Sequence, residues 1–372
     1  MDLATATVSD LRQALDARSV SALELVRGYS ARIAELDPRL HAVLELNPDA
    51  EAIAGGPLEG PLAGLPVLVK DNIDTADRMR TTAGSLALLG STPAADAPVA
   101  ARLRAAGAVI LGKTNLSEWA NFRSQRSSSG WSGRGGQCRN PHVLDRTPSG
   151  SSSGSAAATA AGLCAFALGT ETDGSVISPS HACGVVGVKP TVGLTATAGV
   201  IPIAHSQDTV GVHARTVADA AAVLAAIAER PPAVELDAGA LRGARLGVVR
   251  KGFFGVHEEV DRVCEEALAA LRDAGAELVD LEFPNLEEMR KSDAEFKVLC
   301  YELKADLNAY LARRGDPEIR TLADLIEFNR AHAAEEMPYF RQEAFEQAEA
   351  KGPLTDPDSV SYTHLTLPTI LR

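Results

Sequence analysis

The sequence lacks the features that mark membrane, secreted or nucleic-acid-binding proteins. No apolar run approaches the ~20 residues that a membrane-spanning helix needs. The amino-terminal stretch MDLATATVSDLRQALDARS has neither the basic region nor the apolar segment of a secretion signal. Basic residues do not predominate either, since the net charge is −13 and the pI is about 5.1. We predict a cytoplasmic protein that binds neither a membrane nor a nucleic acid.

Cysteine is scarce, and its spacing argues against two common kinds of site. The five cysteines are odd in number, and none belongs to a C-x-x-C pair. This pattern predicts reduced thiols, with neither a disulfide framework nor a zinc site. The five positions are Cys138, Cys164, Cys183, Cys264 and Cys300.

Helical and strand patterns alternate along the chain, as is typical of α/β proteins. Ser21 and Glu24 form a capping box that predicts a helix over residues 21–36. We find no internal repeat and no obvious linker, so we expect one α/β domain over residues 1–358. Further predicted strands lie at 67–69 and 109–111 and within CAFALGT, GVVGVKPTVGL, ARLGVVR and AELVDLEF, and further helices lie before Gly107, at about 155–163, after Thr216, at 258–273 and over much of 286–350.

The last residues differ abruptly in composition from the rest of the chain. Residues 359–372, SVSYTHLTLPTILR, contain no Ala, Glu or Gly, although the remaining sequence is rich in all three. We interpret this tail as translated adapter sequence that is not native to the protein, and we exclude it from the fold.

A run of three serines at 151–153 lies between two glycines in TPSGSSSGSAAATAAG. A phosphate-binding P-loop is excluded because no lysine follows Gly154, and the S-x-x-K and H-E-x-x-H motifs are absent. Two interpretations of the run remain open at this point. It could be a flexible linker, or a G-x-S-x-G nucleophile elbow with Ser152 as the nucleophile, although no hydrophobic strand precedes it.

Two other stretches place reactive side chains in unusual surroundings. PVLVKDNID puts Lys70 at the end of an apolar strand, where a lone lysine is more often a solvated surface residue. GTETDGSVISPSHACG puts Ser175 after Asp173 and Gly174, in a segment rich in turn-forming residues. Taken together with the serine run, the combination is specific.

The three segments together resemble the amidase signature family of serine hydrolases, and the resemblance extends from about residue 8 to 357. The family motif G-G-S-S-G-G-S is matched by SGSSSGS, and the motif G-T-D-x-G-G-S-[IV]-R-x-P-A is matched by GTETDGSVISPS. Ser175 follows Ser151 by 175 − 151 = 24 positions, the family's interval between its two catalytic serines. KDNIDTADRMRTTAGSLAL and SQDTVGVHARTVADAA are most similar to bacterial peptide amidases. The resemblance implies a large mixed β-sheet covered by helices on both faces.

The same resemblance implies a role for each matched residue. Ser175 would be the nucleophile that forms an acyl-enzyme, and Lys70 would be the general base. Ser151, held in the family by a cis peptide bond, would carry a proton between them. No metal or organic cofactor is required for this chemistry. The oxyanion hole would consist of the backbone N–H groups of Thr172, Asp173, Gly174 and Ser175.

These roles require a particular environment for the lysine. A serine hydroxyl is a weak nucleophile and needs a base within hydrogen-bonding distance. Lysine can accept a proton only when it is neutral, so burial must lower its pKa from ~10.4 towards ~7–8. The apolar side chains of Val67, Leu68 and Val69 beside Lys70 favour such desolvation.

The sequence departs from the family pattern at several positions. Ser149 replaces a glycine, which we expect to be tolerated if the backbone there has negative φ. Ile177 replaces Arg and Asp173 replaces Gly, which weakens an assignment as the amidotransferase subunit of the family. His181 and Cys183 suggest a Cys-His pair, but the apolar run around Cys183 favours a packing role.

We therefore expect an amidase that releases ammonia from a carboxamide, such as a peptide C-terminal amide, with that substrate as its only predicted partner. Members of the family are longer, so we expect the domain to be incomplete at its C-terminal end. Three alternatives stay open. The chain could be an inactive fragment, an amidotransferase-like subunit that acts with protein partners on a tRNA-linked substrate, or an esterase with Ser152 as nucleophile. The identity of the amide and the oligomeric state are not encoded in any motif that we recognise.

Overall fold

The computed structural model describes residues 1–230, 232 and 236–361 of the chain. The chain divides into two compact units, one built from Met1–Pro232 with Phe296–Arg372 and the other from Ala233–Glu295. We describe each unit by itself, and one domain over residues 1–358 stays a prediction. Most of the tail that we interpret as non-native, from residue 362 onwards, lies outside the described residues.

Helices and strands alternate over much of the chain, and among the described residues only helices follow after the last strand. The strands are β1 (Val43–Leu46), β2 (Pro66–Lys70), β3 (Val109–Thr114), β4 (Trp131–Ser132), β5 (Gly136–Gln137), β6 (Phe166–Glu171), β7 (Val186–Val188), β8 (Thr209–Ala214), β9 (Arg245–Val249) and β10 (Glu277–Leu281). The helices are α1 (Val8–Asp16), α2 (Ala22–Leu40), α3 (Ala50–Ala54), α4 (Pro98–Ala105), α5 (Ser153–Ala160), α6 (Ile177–Cys183), α7 (Val217–Ile227), α8 (Glu258–Asp273), α9 (Leu286–Lys291), α10 (Ala294–Arg314), α11 (Leu322–Ala331), α12 (Ala333–Glu336) and α13 (Glu343–Glu349).

A six-stranded mixed sheet organises the larger unit, in the order β1-β3-β2-β6-β8-β7. The central strand β2 pairs in parallel with β3 and β6, whereas β1, β8 and β7 pair antiparallel with their neighbours. Every residue of β2, β3 and β6 is buried, as expected for parallel strands that are covered on both faces. The mixed sheet flanked by helices confirms the predicted fold class.

Local signals in the sequence account for several element boundaries. Ser21 Oγ accepts the backbone N–H of Glu24 at 3.2 Å and Glu24 Oε2 accepts that of Ser21 at 2.7 Å, which is the predicted capping box of α2. The helix ends at Leu40 and not at residue 36, because Leu40 is buried in the core and extends the apolar face past Pro38. Thr216 caps α7 by accepting the N–H of Asp219 at 3.1 Å.

The alanine-rich segment after the serine run forms α5, which lies tightly against the core of the larger unit. All residues from Ser153 to Thr159 are buried. A side chain at Gly154 would meet the backbone oxygen of Ala42 at 2.2 Å. The small residues of this segment are therefore explained by the close approach of the helix to the backbone around it, and the tether hypothesis for the serine run loses its support.

The smaller unit is a β-α-β arrangement. Strands β9 and β10 pair in parallel with Arg245 opposite Glu277, and α8 connects them. This order and the bounds of α8 match the sequence prediction for residues 258–273. Among the described residues, no helix combines the length and the apolar character needed to cross a bilayer.

Candidate active site

Lys70 lies at the carboxyl end of the central strand β2, and its side chain is fully buried. The ammonium nitrogen Nζ donates to Ser151 Oγ at 2.7 Å and to Thr170 Oγ1 and O at 2.9 and 3.2 Å. Burial lowers the pKa of Lys70 to about 7, against the opposing influence of the Asp208 and Glu171 carboxylates. The amine can therefore exist in its neutral form near neutral pH.

The three partners of Lys70 suit both protonation states. A neutral amine has two N–H donors and one lone pair, and the two oxygen atoms of Thr170 can accept both N–H groups. The lone pair then faces Ser151 Oγ, whose proton it can receive. When the lysine is charged, the same contact reverses and Nζ donates to Ser151.

The peptide bond between Gly150 and Ser151 is cis, as the resemblance implies. The preceding residue, Ser149, has φ = +62°, so the condition under which we expected serine to be tolerated here, a negative φ, is not met. Polar contacts hold the left-handed backbone in place: Ser149 Oγ lies 2.7 Å from Ser178 Oγ, and Ser153 Oγ donates to the Ser149 carbonyl at 2.6 Å. These contacts explain why a non-glycine residue occupies this conformation.

Ser152, the nucleophile of the elbow hypothesis, has its hydroxyl engaged in the core. It donates to the Thr170 carbonyl at 3.0 Å and accepts the Thr170 N–H at 3.2 Å. The residue is fully buried. A hydroxyl bound on both sides and closed to solvent is a structural link between the serine run and β6, and it is badly placed to attack a substrate.

Ser175 lies in the loop between β6 and α6 and is 7% exposed. Its carbonyl accepts the Ser152 N–H at 3.0 Å, which ties the loop to the serine run. Its hydroxyl makes no hydrogen bond with any residue that the structure describes. The structure thus joins Lys70 to Ser151 directly, whereas the hydrogen bond from Ser151 Oγ to Ser175 Oγ is not formed.

The predicted oxyanion hole belongs to the same loop. In the described part of the chain, none of the four backbone N–H groups donates to a protein acceptor. Glu171 Oε2 instead accepts the next two backbone N–H groups along the chain, those of Val176 at 2.7 Å and Ile177 at 2.9 Å. Gly174, with φ = +74°, allows a turn that other residues rarely adopt. The four N–H groups belong to Thr172, Asp173, Gly174 and Ser175, and their role as an oxyanion hole stays a prediction.

Three polar residues of this site were not singled out in the sequence. Thr170 holds Lys70, and its hydroxyl also accepts Asn72 Nδ2 at 2.9 Å. Asp208 Oδ1 accepts the Thr172 hydroxyl at 2.5 Å, and burial raises the pKa of Asp208 to about 6. Thr170 and Asn72 lie inside the segments GTETDGS and KDNID, so these motifs could have indicated them. Asp208 lies in a distant part of the chain.

Asp208 connects the nucleophile loop to another loop of the larger unit. Its Oδ2 accepts the backbone N–H groups of Ile203 at 2.8 Å and Ala204 at 3.0 Å. The other oxygen of the carboxylate, Oδ1, accepts the Thr172 hydroxyl. Asp208 therefore joins the loop of residues 201–208 to the loop that carries Ser175.

The cysteine and histidine side chains near this site have structural partners. Burial raises the pKa of the Cys183 thiol to about 12, so it is a poor nucleophile, in agreement with the packing role expected for it. His213 is fully buried, its Nδ1 lies 2.8 Å from Ser180 Oγ, and burial lowers its pKa to about 3. His181, the partner suggested for Cys183 by the sequence, is exposed, and no hydrogen bond joins the two side chains in the described part of the chain.

A family model described as Amidase matches residues 24–357. Among solved structures, the chain is similar to the native peptide amidase from Stenotrophomonas maltophilia, with a TM-score of 0.91 and 47% sequence identity. The match covers 96% of this chain and 78% of that one.

Curated relatives include two kinds of protein. A probable amidase of Arabidopsis thaliana is 43% identical over 93% of this chain and 72% of its own length. A glutamyl-tRNA(Gln) amidotransferase subunit from Thermus thermophilus is 42% identical over 75% of this chain, but only 60% of its own length is covered.

Proposed function

Since the chain belongs to the amidase family, we propose that it hydrolyses a primary carboxamide through an acyl-enzyme intermediate on Ser175 and releases ammonia. The contact that carries the proposal is the 2.7 Å hydrogen bond between Lys70 Nζ and Ser151 Oγ. A fully buried lysine whose pKa lies at about 7 is a competent general base at neutral pH, and its serine partner leads towards the nucleophile loop.

The first half of the reaction transfers one proton in two steps. Ser175 Oγ attacks the carbonyl carbon, its proton passes to Ser151 Oγ, and the Ser151 proton passes to neutral Lys70. The carbonyl oxygen becomes an oxyanion, which the free N–H groups of the nucleophile loop stabilise. Lys70 then returns its proton through Ser151 to the amide nitrogen. The C–N bond breaks, ammonia leaves, and an ester to Ser175 remains.

The second half repeats the transfers with water. Water replaces the departed ammonia and attacks the acyl ester, while Ser151 and Lys70 take its proton. Lys70 then protonates Ser175 Oγ through Ser151, and the carboxylic acid leaves. The hydrogen bond from Ser151 to Ser175 must form during these steps, and catalytic hydrogen bonds commonly tighten only when substrate binds.

A peptide C-terminal amide is the substrate class that we favour. The proposal rests on the 47% identity to a peptide amidase. A small cavity of about 10 Å³, room for roughly one water molecule, lies next to Asn72, and its lining carries no ionisable side chain. The cavity is lined by Asn72, Ala83, Trp119, Ala120, Ile201, Pro202, Ile203, Leu303 and Phe345.

Labelling with a fluorophosphonate probe tests the nucleophile. We expect the wild type to be labelled, Ser175→Ala to lose labelling, and Ser152→Ala to retain it. Ser128→Ala is the matched control, because Ser128 is an exposed serine of the same unit and has no part in the proposed proton transfers. Labelling that persists in Ser175→Ala and disappears in Ser152→Ala would establish the elbow in place of this proposal. Release of ammonia from a peptide amide and not from the corresponding free acid then tests the reaction.

An amidotransferase-like subunit is the second candidate, favoured by the 42% identity to the Thermus amidotransferase protein. Turnover of free amides by the isolated chain would contradict this alternative, and co-purification with partner proteins would support it. The inactive-fragment hypothesis makes a different prediction, because an incomplete fold should melt without a cooperative transition. A single cooperative thermal transition of the full chain, together with turnover, would exclude it.

A further inference from the structure

The loop of residues 201–208 carries a second group of polar side chains besides Asp208. His205 in this loop is about half exposed, with 56% of its side-chain surface accessible. It faces helix α10, from which Glu302 and Asp306 project one helical turn apart on the same face. Glu302 is 4% exposed and Asp306 23% exposed in their side chains, so the group lies at the boundary between core and solvent.

The donor atoms of these three residues converge. His205 Nδ1 lies 2.9 Å from Asp306 Oδ2 and 3.5 Å from Glu302 Oε2. One ligand atom from each residue can be chosen so that all three lie within 4.8 Å of one another. Tetrahedral ligands at about 2.0–2.1 Å from a zinc ion are separated by roughly 3.3–3.4 Å. The two distances from His205 Nδ1, 2.9 and 3.5 Å, lie on either side of this value, and no two of the three ligand atoms are more than 4.8 Å apart.

The charges of the group call for a cation. Among the ion pairs of the described residues, His205 is the only basic partner of either carboxylate. With a neutral imidazole the group carries two negative charges, and one of them belongs to the buried Glu302. Buried charges are normally paired or coordinate a metal ion. Within the described ranges, no lysine or arginine side chain neutralises this pair.

Hydrogen bonds already orient the two carboxylates. Ser206 donates to Glu302 Oε2 from its backbone N–H at 3.0 Å and from its hydroxyl at 2.8 Å. The backbone N–H of His205 donates to Asp306 Oδ2 at 3.0 Å. Outer hydrogen bonds of this kind fix the orientation of ligating groups in metal sites.

We propose that His205, Glu302 and Asp306 bind a divalent transition-metal ion of the zinc type, which ties the loop of residues 201–208 to helix α10. One imidazole and two carboxylates with an open fourth position match zinc, whereas Mg²⁺ and Ca²⁺ require six or more oxygen ligands. The exposed edge of His205 provides the entry path and the open position. The ion has no part in the proton transfers at Lys70, and this inference does not depend on the proposed function.

No sequence motif indicates this site, because its ligands are far apart in the chain. His205 precedes Glu302 by 302 − 205 = 97 positions, and neither belongs to a zinc-binding motif. Only the i, i+4 pair on α10 is local. An ion at this site would also help to fix the position of Asp208, which belongs to the same loop and accepts the Thr172 hydroxyl.

Calorimetric titration of the chelator-treated full chain with Zn²⁺ tests the proposal. We expect one ion per chain in the wild type, and an affinity about tenfold weaker or more in both His205→Asn and Asp306→Asn. The matched control is His257→Asn, which removes an exposed histidine from the smaller unit and should leave the titration unchanged. Titration with Mg²⁺ should give no saturable heat at the same concentrations.

Thermal unfolding provides a readout that surface adsorption of the ion would not move. Zn²⁺ should raise the melting temperature of the wild type and of His257→Asn, and should raise that of Asp306→Asn by a smaller amount at the same concentration. Circular dichroism checks that each variant is folded, and if one variant fails to fold the other decides. Absence of saturable binding in the wild type, or equal affinity in the wild type and both ligand variants, would overturn the proposal.

Discussion

Two fully buried lysines lie at or next to the carboxyl ends of neighbouring strands of the same sheet, and they differ in their surroundings. Lys70 on β2 contacts Ser151 Oγ and the oxygen atoms of Thr170. Lys113 on β3, opposite Val69, contacts the Ile73 carbonyl and the Thr81 hydroxyl. Burial lowers the pKa of both, to about 7 for Lys70 and about 8 for Lys113. The two environments are therefore similar in desolvation and distinct in their hydrogen-bond partners.

Burial alone does not make a lysine a catalytic base. Lys113 faces three carboxylates that raise its pKa against the effect of burial, and its two partners lead to no nucleophile. Lys70 contacts Ser151, and the next residue, Ser152, donates its backbone N–H to the carbonyl of Ser175. Both lysines contact a hydroxyl, so the proposed difference lies in where that hydroxyl leads: Ser151 belongs to the run tied to the loop of Ser175, whereas Thr81 does not. The carboxylates around Lys113 are Asp71, Asp77 and Asp74.

The largest expected difference between the two lysines is in activity. We predict that Lys70→Met lowers kcat/KM by roughly 10²–10⁴-fold, the usual contribution of a general base. Lys113→Met should keep kcat/KM within about tenfold of the wild type, because Lys113 contacts no reacting group, although it should lower the melting temperature by removing a buried positive charge that acts on Asp71 and Asp74. Steady-state kinetics on a peptide amide, with thermal melts of both variants, measure the contrast. Equal losses of activity would break the comparison.

The threonine partners of the two lysines offer a smaller contrast. Thr170→Val removes one acceptor of the Lys70 amine and should lower kcat about tenfold without a matching change in KM, since it positions the base and does not touch substrate. Thr81→Val removes the equivalent acceptor of Lys113 and should leave both constants near wild type. A rise in KM alone for Thr170→Val would indicate a role in binding and contradict the assignment.

The smallest expected effect is a shift of the pH profile. Activity should rise with pH as Lys70 loses its proton, with a midpoint near its pKa of about 7. The negative charge of Asp208 raises the pKa of Lys70, so Asp208→Asn should move this midpoint to lower pH. Asp77→Asn, which removes a charge that acts on Lys113, should leave the midpoint in place. A shift to higher pH in Asp208→Asn would have the wrong sign for this account.

Local patterns predicted much of the fold, whereas the three proposed catalytic residues came from the family resemblance. The capping box at Ser21, the strand before Lys70 and the helix at 258–273 depend on neighbouring residues, and the structure confirms them. The resemblance pointed to Lys70, Ser151 and Ser175, and the structure brings the first two into contact.

The features that the sequence did not predict depend on distant contacts. The left-handed backbone of Ser149 is held by Ser178, which lies 29 positions away. Asp208 reaches Thr172 across 36 positions, and His205 meets a helix 97 or more positions further on. No local pattern encodes such contacts, because they arise only when the sheet brings its loops together.

The pH dependence of the labelling rate of Ser175 tests the central claim most directly, because it isolates activation of the nucleophile from substrate binding and product release. For the wild type we predict a rate that increases through a single inflection near pH 7, set by Lys70. In Lys70→Met the rate should be low and should lose that inflection. A wild-type rate that is constant between about pH 5 and pH 9, or an inflection that survives in Lys70→Met, would contradict a neutral lysine as the base.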